Sequence, residues 1–191
     1  MTEIDGEVNP VLGVLAGRRS VTRFSDIPVE RRDIELALDV GIRAPNHRLT
    51  RPWRFVVVNG DARHRLGERM AAAAARMGQD VERARGKALI APTIICAAVS
   101  PQLDRPKVLL EEEYLAVGAA IQNIMLALHA RGVGSIWTTG ALIGSDEVRE
   151  FFEVAASNDR ILGLIYVGFS RDDDKGRSVN ESHVPFTRWL E

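Results

Sequence analysis

Two stretches of this chain carry side chains that a hydrophobic core does not require. The first is Arg18-Arg19-Ser20, which puts two guanidiniums and a hydroxyl into one turn. A guanidinium is planar and offers bidentate, charge-assisted bonds, so such a turn suits a phosphate monoester. By itself the triplet is also an ordinary solvated basic turn, and both readings stand at this point. The second stretch is Arg43-Ala-Pro-Asn-His47, followed by Arg51-Pro-Trp53-Arg-Phe55. Here a helix end, a proline break and several planar polar side chains precede an apolar run. That arrangement could cradle a flat heteroaromatic ring, and it could equally be a surface loop.

Other chemistries lack their signatures. No predicted strand is followed by G-x-G-x-x-G, and the chain has no P-loop and no G-x-S-x-G elbow. His47, His64, His129 and His183 form no i,i+4 pair and have no cysteine cluster beside them, so a metal site is not expected. Asp172-Asp173-Asp174 resembles a calcium loop only at its start and reads as a solvated turn. The only cysteine, Cys96, lies in the apolar run TIICAAV and reads as a small buried hydrophobe. A net charge of −1 argues against a nucleic-acid partner and against an anionic membrane surface. The first ten residues are acidic and no run approaches a bilayer-spanning length, so a cytoplasmic protein without a signal peptide is expected.

The elements that must position these stretches follow from periodicity. With 191 residues, 46% of them apolar, the chain reads as one domain with a sizeable core. Residues 1–9 read as a loose start. A short helix over 10–17 should turn Val11, Val14 and Leu15 inward. Ile34, Ala37, Leu38, Gly41 and Ile42 recur at helical spacing and end at Pro45. Residues 54–58 read as a buried strand, and Leu66, Met70, Ala74 and Met77 mark a helix after it. Thr93–Val99 is a second buried strand. The longest helix spans about 107–130, is apolar on most sides and should be buried all round. Glu111, Glu112 and Glu113 read as its solvated acidic start, favoured by the helix dipole. Strands over 135–137 and 161–167 complete the set, with a helix capped by Ser145 between them. No regular βαβ rhythm emerges, so the fold class is α+β, with helices flanking a mixed sheet.

Taken in order, R-R-S, A-P-N-H-x(4)-P-W-R-F-V-V-V, G-A-A-I-Q-N-I-M-L-A-L and G-x-G-S-I-W-T-T-G resemble the nitroreductase family, in particular its short YdjA-type branch, from about Leu12 to Phe169. The resemblance implies a three-layer α-β-α sandwich with a mixed central sheet. It implies a homodimer whose long central helix packs on its symmetry mate through Gly118, Ala119 and Ala120, with the 171–191 tail reaching the partner. The implied cofactor is FMN, with NAD(P)H as reductant and a nitroaromatic, quinone or similar small molecule as acceptor, in a ping-pong cycle of hydride transfer. Carried over by position, Arg18, Arg19 and Ser20 would hold the FMN phosphate and ribityl chain. Arg43 and His47 would meet the flavin from the partner chain, with Asn46 facing the ring edge. Thr138, Thr139 and Gly140 would lie along the ring. No residue is implied as a covalent catalyst; Arg43 and Arg23 are the candidate charge stabilisers of reduced flavin. This chain departs from better-known members at Thr22, where many have Lys or Arg, at His47, where larger relatives have serine, and at Arg51, where many have glutamine. Arg171, Lys175 and Arg177 are candidates for a further phosphate contact. Related frameworks also dehalogenate, break down flavin or oxidise heterocycles, and a non-catalytic flavin-binding or redox-sensing protein is a further reading.

Overall fold

A computed structural model describes residues 9–171 and 183–190. Its sheet has four strands, β1 (Trp53–Asn59), β2 (Thr93–Val99), β3 (Gly134–Thr138) and β4 (Arg160–Gly168), in the order β1-β2-β4-β3. Every pairing between these strands is antiparallel. The sheet expected from the sequence was mixed. Among the described residues, parallel pairing is confined to an isolated bridge between Ser20 and Ser135.

Helices cover both faces, which gives the expected three layers. On one face α3 (Asp61–Arg76), α4 (Val81–Lys87) and α6 (Asp146–Phe151) pack Leu66, Met70, Ala84 and Val148 against Ile94, Cys96, Leu164 and Tyr166. On the other, α2 (Arg31–Gly41) and α5 (Leu110–Ala130) pack Ile34, Ala37, Val117, Ile121 and Ile124 against Ile95, Ala97, Ile165 and Val167. The alternation along β2 and β4 sends successive side chains to opposite layers. That is why TIICAAV is buried along its whole length. Burial pushes the Cys96 thiol up to about 12, so it stays protonated in the core.

Two helices depart from expectation. In α1 (Pro10–Gly17), Asn9 Oδ1 accepts the Val11 N–H at 3.0 Å, yet no residue is buried, and Val11 and Leu15 are 64% and 48% exposed. The helix is apolar on several sides and, among the described residues, is only partly covered, by α5. In α5 the buried residues, Glu113, Ala116, Val117, Ala120, Ile121, Ile124, Met125 and Leu128, form one stripe. The opposite face stays open, with Leu115 72% exposed, so α5 is not buried all round within its own chain. No helix among the described residues is long and apolar enough to cross a membrane.

Candidate functional site

The Arg18–Ser20 turn is built by the end of α1 and the start of β3. Val21 N donates to Ser135 O at 3.1 Å, beside the Ser20–Ser135 bridge. The Arg19 guanidinium donates to Ala16 O at 2.5 Å and to Arg18 O at 2.9 Å, which folds it over the carbonyl end of α1. The Arg18 guanidinium makes no hydrogen bond or ion pair among the described residues. His129, in the last turn of α5, lies so close that a Cβ on Gly17 would sit 3.1 Å from its Nε2. Burial holds the His129 imidazole below its ordinary pKa, and the positive charges of Arg18 and Arg19 lower it further. A turn that resists a third positive charge is one that attracts an anion.

The strand that carries this turn also carries the next segment. Thr138 ends β3 and donates through Oγ1 to Leu164 O at 3.3 Å. Thr139 and Gly140 follow it on the surface. Gly140 has φ 131°, a conformation that a side chain would strain. Thr138, Thr139 and Gly140 wall a cavity of about 320 Å³ together with Tyr166 and Lys87. Burial drives the Tyr166 phenol up to about 12, opposed in part by its bond with Thr138, so it remains a neutral hydrogen-bonding group.

The 43–51 loop lies elsewhere. Arg43 and His47 are exposed, and their side chains make no hydrogen bond among the described residues. Three non-glycine residues here adopt positive φ: Arg48 at 57°, Leu49 at 51° and Arg51 at 53°. Each such residue costs on the order of 1–3 kcal/mol. Asn46, which the resemblance expects at the ring edge, bonds within its own loop in this chain. Its Nδ2 donates to Thr50 Oγ1 at 2.8 Å, and its Oδ1 accepts the Arg51 N–H at 2.6 Å. Thr50 Oγ1 donates in turn to Glu113 Oε1 at 2.5 Å, while Glu113 Oε2 accepts the Gln102 N–H at 3.1 Å.

The expected site residues therefore form two groups. Arg18, Arg19, Ser20, Thr138, Thr139 and Gly140 share the β3 edge. Arg43 and His47 lie on the segment between α2 and β1, the strand at the opposite edge of the sheet. Along α5, Glu113 beneath the loop and His129 beside the turn are about 24 Å apart at 1.5 Å per residue. Between the two groups runs the open face of α5. There Tyr114, Leu115, Gly118, Ala119, Trp137 and Leu162 line a groove of about 600 Å³. A Cβ at Gly118 would meet nothing within 4 Å in this chain.

Of the remaining candidates, Arg23 lies on the segment that pairs with the end of β4, its carbonyl accepting the Arg171 N–H at 3.1 Å. The Arg171 side chain donates through Nε to Phe24 O at 2.9 Å, so this side chain anchors that segment. Lys175 and Arg177 lie outside the described residues, as do residues 1–8, 172–182 and 191 of the expected loose start and tail. The described end of the tail leaves Val184, Phe186, Trp189 and Leu190 between 66% and 82% exposed. Among the described residues no cluster of His, Cys, Asp or Glu forms a metal site.

Two residues escaped the sequence reading. Glu113 is fully buried, not part of a solvated acidic start. The signal was available, because Glu113 falls in register with Ala116, Val117, Ala120 and Ile121 on the buried stripe. His129 had no local signal: its approach to Gly17 joins the ends of two helices that only the fold brings together.

The nitroreductase family model matches residues 15–169. The chain is 32% identical over 160 residues to "Putative NAD(P)H nitroreductase YdjA" of Escherichia coli (strain K12), covering 82% of this chain and 86% of that protein. Among solved structures, the nitroreductase-like family protein from Bacillus cereus superposes with a TM-score of 0.80 at 24% identity, covering 95% of this chain and 96% of the other. The FMN-dependent nitroreductase NfnB from Mycobacterium smegmatis, solved in complex with NADPH, superposes with a TM-score of 0.76 at 19% identity, covering 97% and 100%.

Proposed function

The chain belongs to the nitroreductase family, and from that membership we propose that it is an FMN-dependent NAD(P)H oxidoreductase. In this reading it works as a homodimer and reduces nitroaromatics, quinones or similar small acceptors. One observation carries the reading: the electropositive turn at Arg18–Ser20 and the Thr138–Gly140 segment flank β3 at one edge of the sheet, while Arg43 and His47 lie on the loop that leads into β1, the strand at the other edge. A ligand with a phosphate at one end and a ring at the other suits the first edge, and a second copy, docked through the open face of α5, supplies Arg43 and His47 to it.

When bound, FMN supplies the two-electron chemistry between nicotinamide and acceptor. The residues of this chain do the rest. Arg18 and Ser20 hold the phosphate by charge-assisted bonds. Arg19, fixed on the carbonyls of Ala16 and Arg18, shapes the turn and adds positive field. Thr138, Thr139 and Gly140 run beside the ring, where the exposed backbone at Gly140 allows close approach. Arg43 and His47 from the second copy bring positive charge and a donor to the ring; Arg23 is the alternative cation. The docked copies exclude water from the groove at Trp137, which strengthens these electrostatic contacts.

Mixing the purified protein anaerobically with FMN and then NADH or NADPH tests the reading. A yellow protein that bleaches rapidly and recovers with a quinone or a nitroarene supports it. Bound flavin that accepts no electrons from either nucleotide would make the protein a non-catalytic flavin binder. A protein with no affinity for FMN would end both readings.

A further inference from the structure

Glu113 sits in a place where a carboxylate is expensive. It is fully buried at the start of α5 and forms no ion pair among the described residues. Burying a carboxyl group costs more than burying an apolar side chain unless hydrogen bonds compensate it, and the same stripe is otherwise filled by Ala116, Val117, Ile121 and Ile124. Core packing has no use for this polar group, so its role lies in what it binds. Its compensation comes from three sources: the Thr50 hydroxyl at 2.5 Å, the Gln102 N–H at 3.1 Å, and the positive end of the α5 dipole.

Glu113 Oε1 is the nearer of two acceptors for the Thr50 hydroxyl, at 2.5 Å against 3.5 Å for His47 O. With its proton directed to Glu113, the Thr50 oxygen accepts from Asn46 Nδ2 at 2.8 Å. Asn46 is thereby oriented with Oδ1 toward the Arg51 N–H at 2.6 Å. That last bond closes a loop containing Arg48, Leu49 and Arg51 at positive φ. Such backbone persists only where its surroundings over-determine it. Leu49 is 70% exposed, so apolar packing does not hold the loop, and the polar chain from Glu113 does.

We infer that Glu113 is a positioning residue: acting through Thr50 and Asn46, it locks the strained 46–51 loop and so fixes the direction in which His47 is presented. The loop claim rests on geometry alone; its bearing on catalysis rests on the function proposed above.

The test compares wild-type protein with Glu113→Gln, Thr50→Val and Thr50→Ser. The Gln variant turns one accepting oxygen into a donor facing either Thr50 or the Gln102 N–H, and Thr50→Ser keeps the hydroxyl. Backbone hydrogen exchange is read at 46–51 and, as control, in β2 and β4. We expect exchange at 46–51 to accelerate at least tenfold in Glu113→Gln and Thr50→Val, with β2 and β4 unchanged, and Thr50→Ser to restore protection. With FMN loaded, the rate of flavin bleaching by NADH or NADPH should fall about tenfold while FMN affinity holds, and Glu113→Gln should add no further loss in a His47→Ala background. Unchanged exchange at 46–51, or acceleration spread equally over β2 and β4, overturns the inference. A loosened loop with an unaltered bleaching rate overturns the positioning role. Loop exchange responding as expected in a protein that never binds FMN would instead refute the proposed function and leave the lock standing. If Glu113→Gln fails to fold, the contrast between Thr50→Val and Thr50→Ser decides.

Discussion

Arg131 Nε meets Asp33 Oδ1 at 2.9 Å, joining the residue after α5 to the first turn of α2 across 98 positions of sequence. The Asp33 side chain is 12% exposed and the Arg131 side chain 47%. Removing the arginine therefore strands the more deeply buried charge. We expect Arg131→Met to cost about 1–2 kcal/mol after allowance for solvent screening. The double variant Asp33→Leu/Arg131→Met should be the more stable of the two, because no charge is then left unpaired. Urea unfolding of both variants, with Asp33→Leu alone to complete the cycle, checks this; additive losses would mean that the pair carries no coupling.

Arg18→Ala should release FMN without unfolding the protein. One charge-assisted contact is worth roughly 1.5–3 kcal/mol, which corresponds to a rise in Kd of roughly 10- to 150-fold. Fluorescence titration with FMN reads the change directly. An unaltered Kd would remove Arg18 from the phosphate site.

Gly118→Leu probes the open face of α5. Nothing within 4 Å opposes a Cβ there, so the isolated chain should tolerate the substitution. A second copy docked on the groove would not. Sedimentation should find the wild type dimeric and the variant monomeric, with circular dichroism unchanged. Persistence of a dimer of full stability would exclude this face as the contact.

The pH dependence turns on His129, whose imidazole burial and then Arg18 and Arg19 hold below 6.5. In the unfolded chain these influences vanish and the group returns to about 6.5. Below that pH the unfolded state binds the proton that the fold resists, so this group lowers stability as pH drops beneath 6.5 and does nothing above it. A phosphate between Arg18 and Arg19 would cancel their field and let His129 take up a proton. Calorimetry of FMN binding at about pH 6.5, in buffers of different ionisation enthalpy, should find proton uptake that is smaller in His129→Gln. Identical uptake in the two proteins would separate His129 from the phosphate.

Much of this architecture was legible in the residues. TIICAAV announced a strand buried on both faces, and Pro45 announced the end of α2. Ser145 caps a helix where the pattern placed it, its Oγ accepting the Val148 N–H at 3.4 Å. What periodicity could not supply was long-range pairing. It could not place Ser20 beside Ser135, nor reveal that Asn46 turns back on its own loop. It misjudged α1 and α5 for a common reason: it counts apolar residues and cannot tell a face covered by the same chain from one that waits for another. For the site, residue types marked Arg18–Ser20 and the Arg43–His47 loop. Only the fold shows that the first flanks β3 and the second leads into β1, strands at opposite edges of the sheet.

In the proposed dimer, each chain would donate half of two different centres. Inactivate one copy at Arg18 and another at His47, and neither homodimer has a working centre. Refold them together, and every mixed pair contains one centre with both lesions and one with none. Random reassortment makes half of the pairs mixed, so about a quarter of wild-type turnover should return. Two inert preparations would then rescue each other, an outcome that a site contained within one chain forbids.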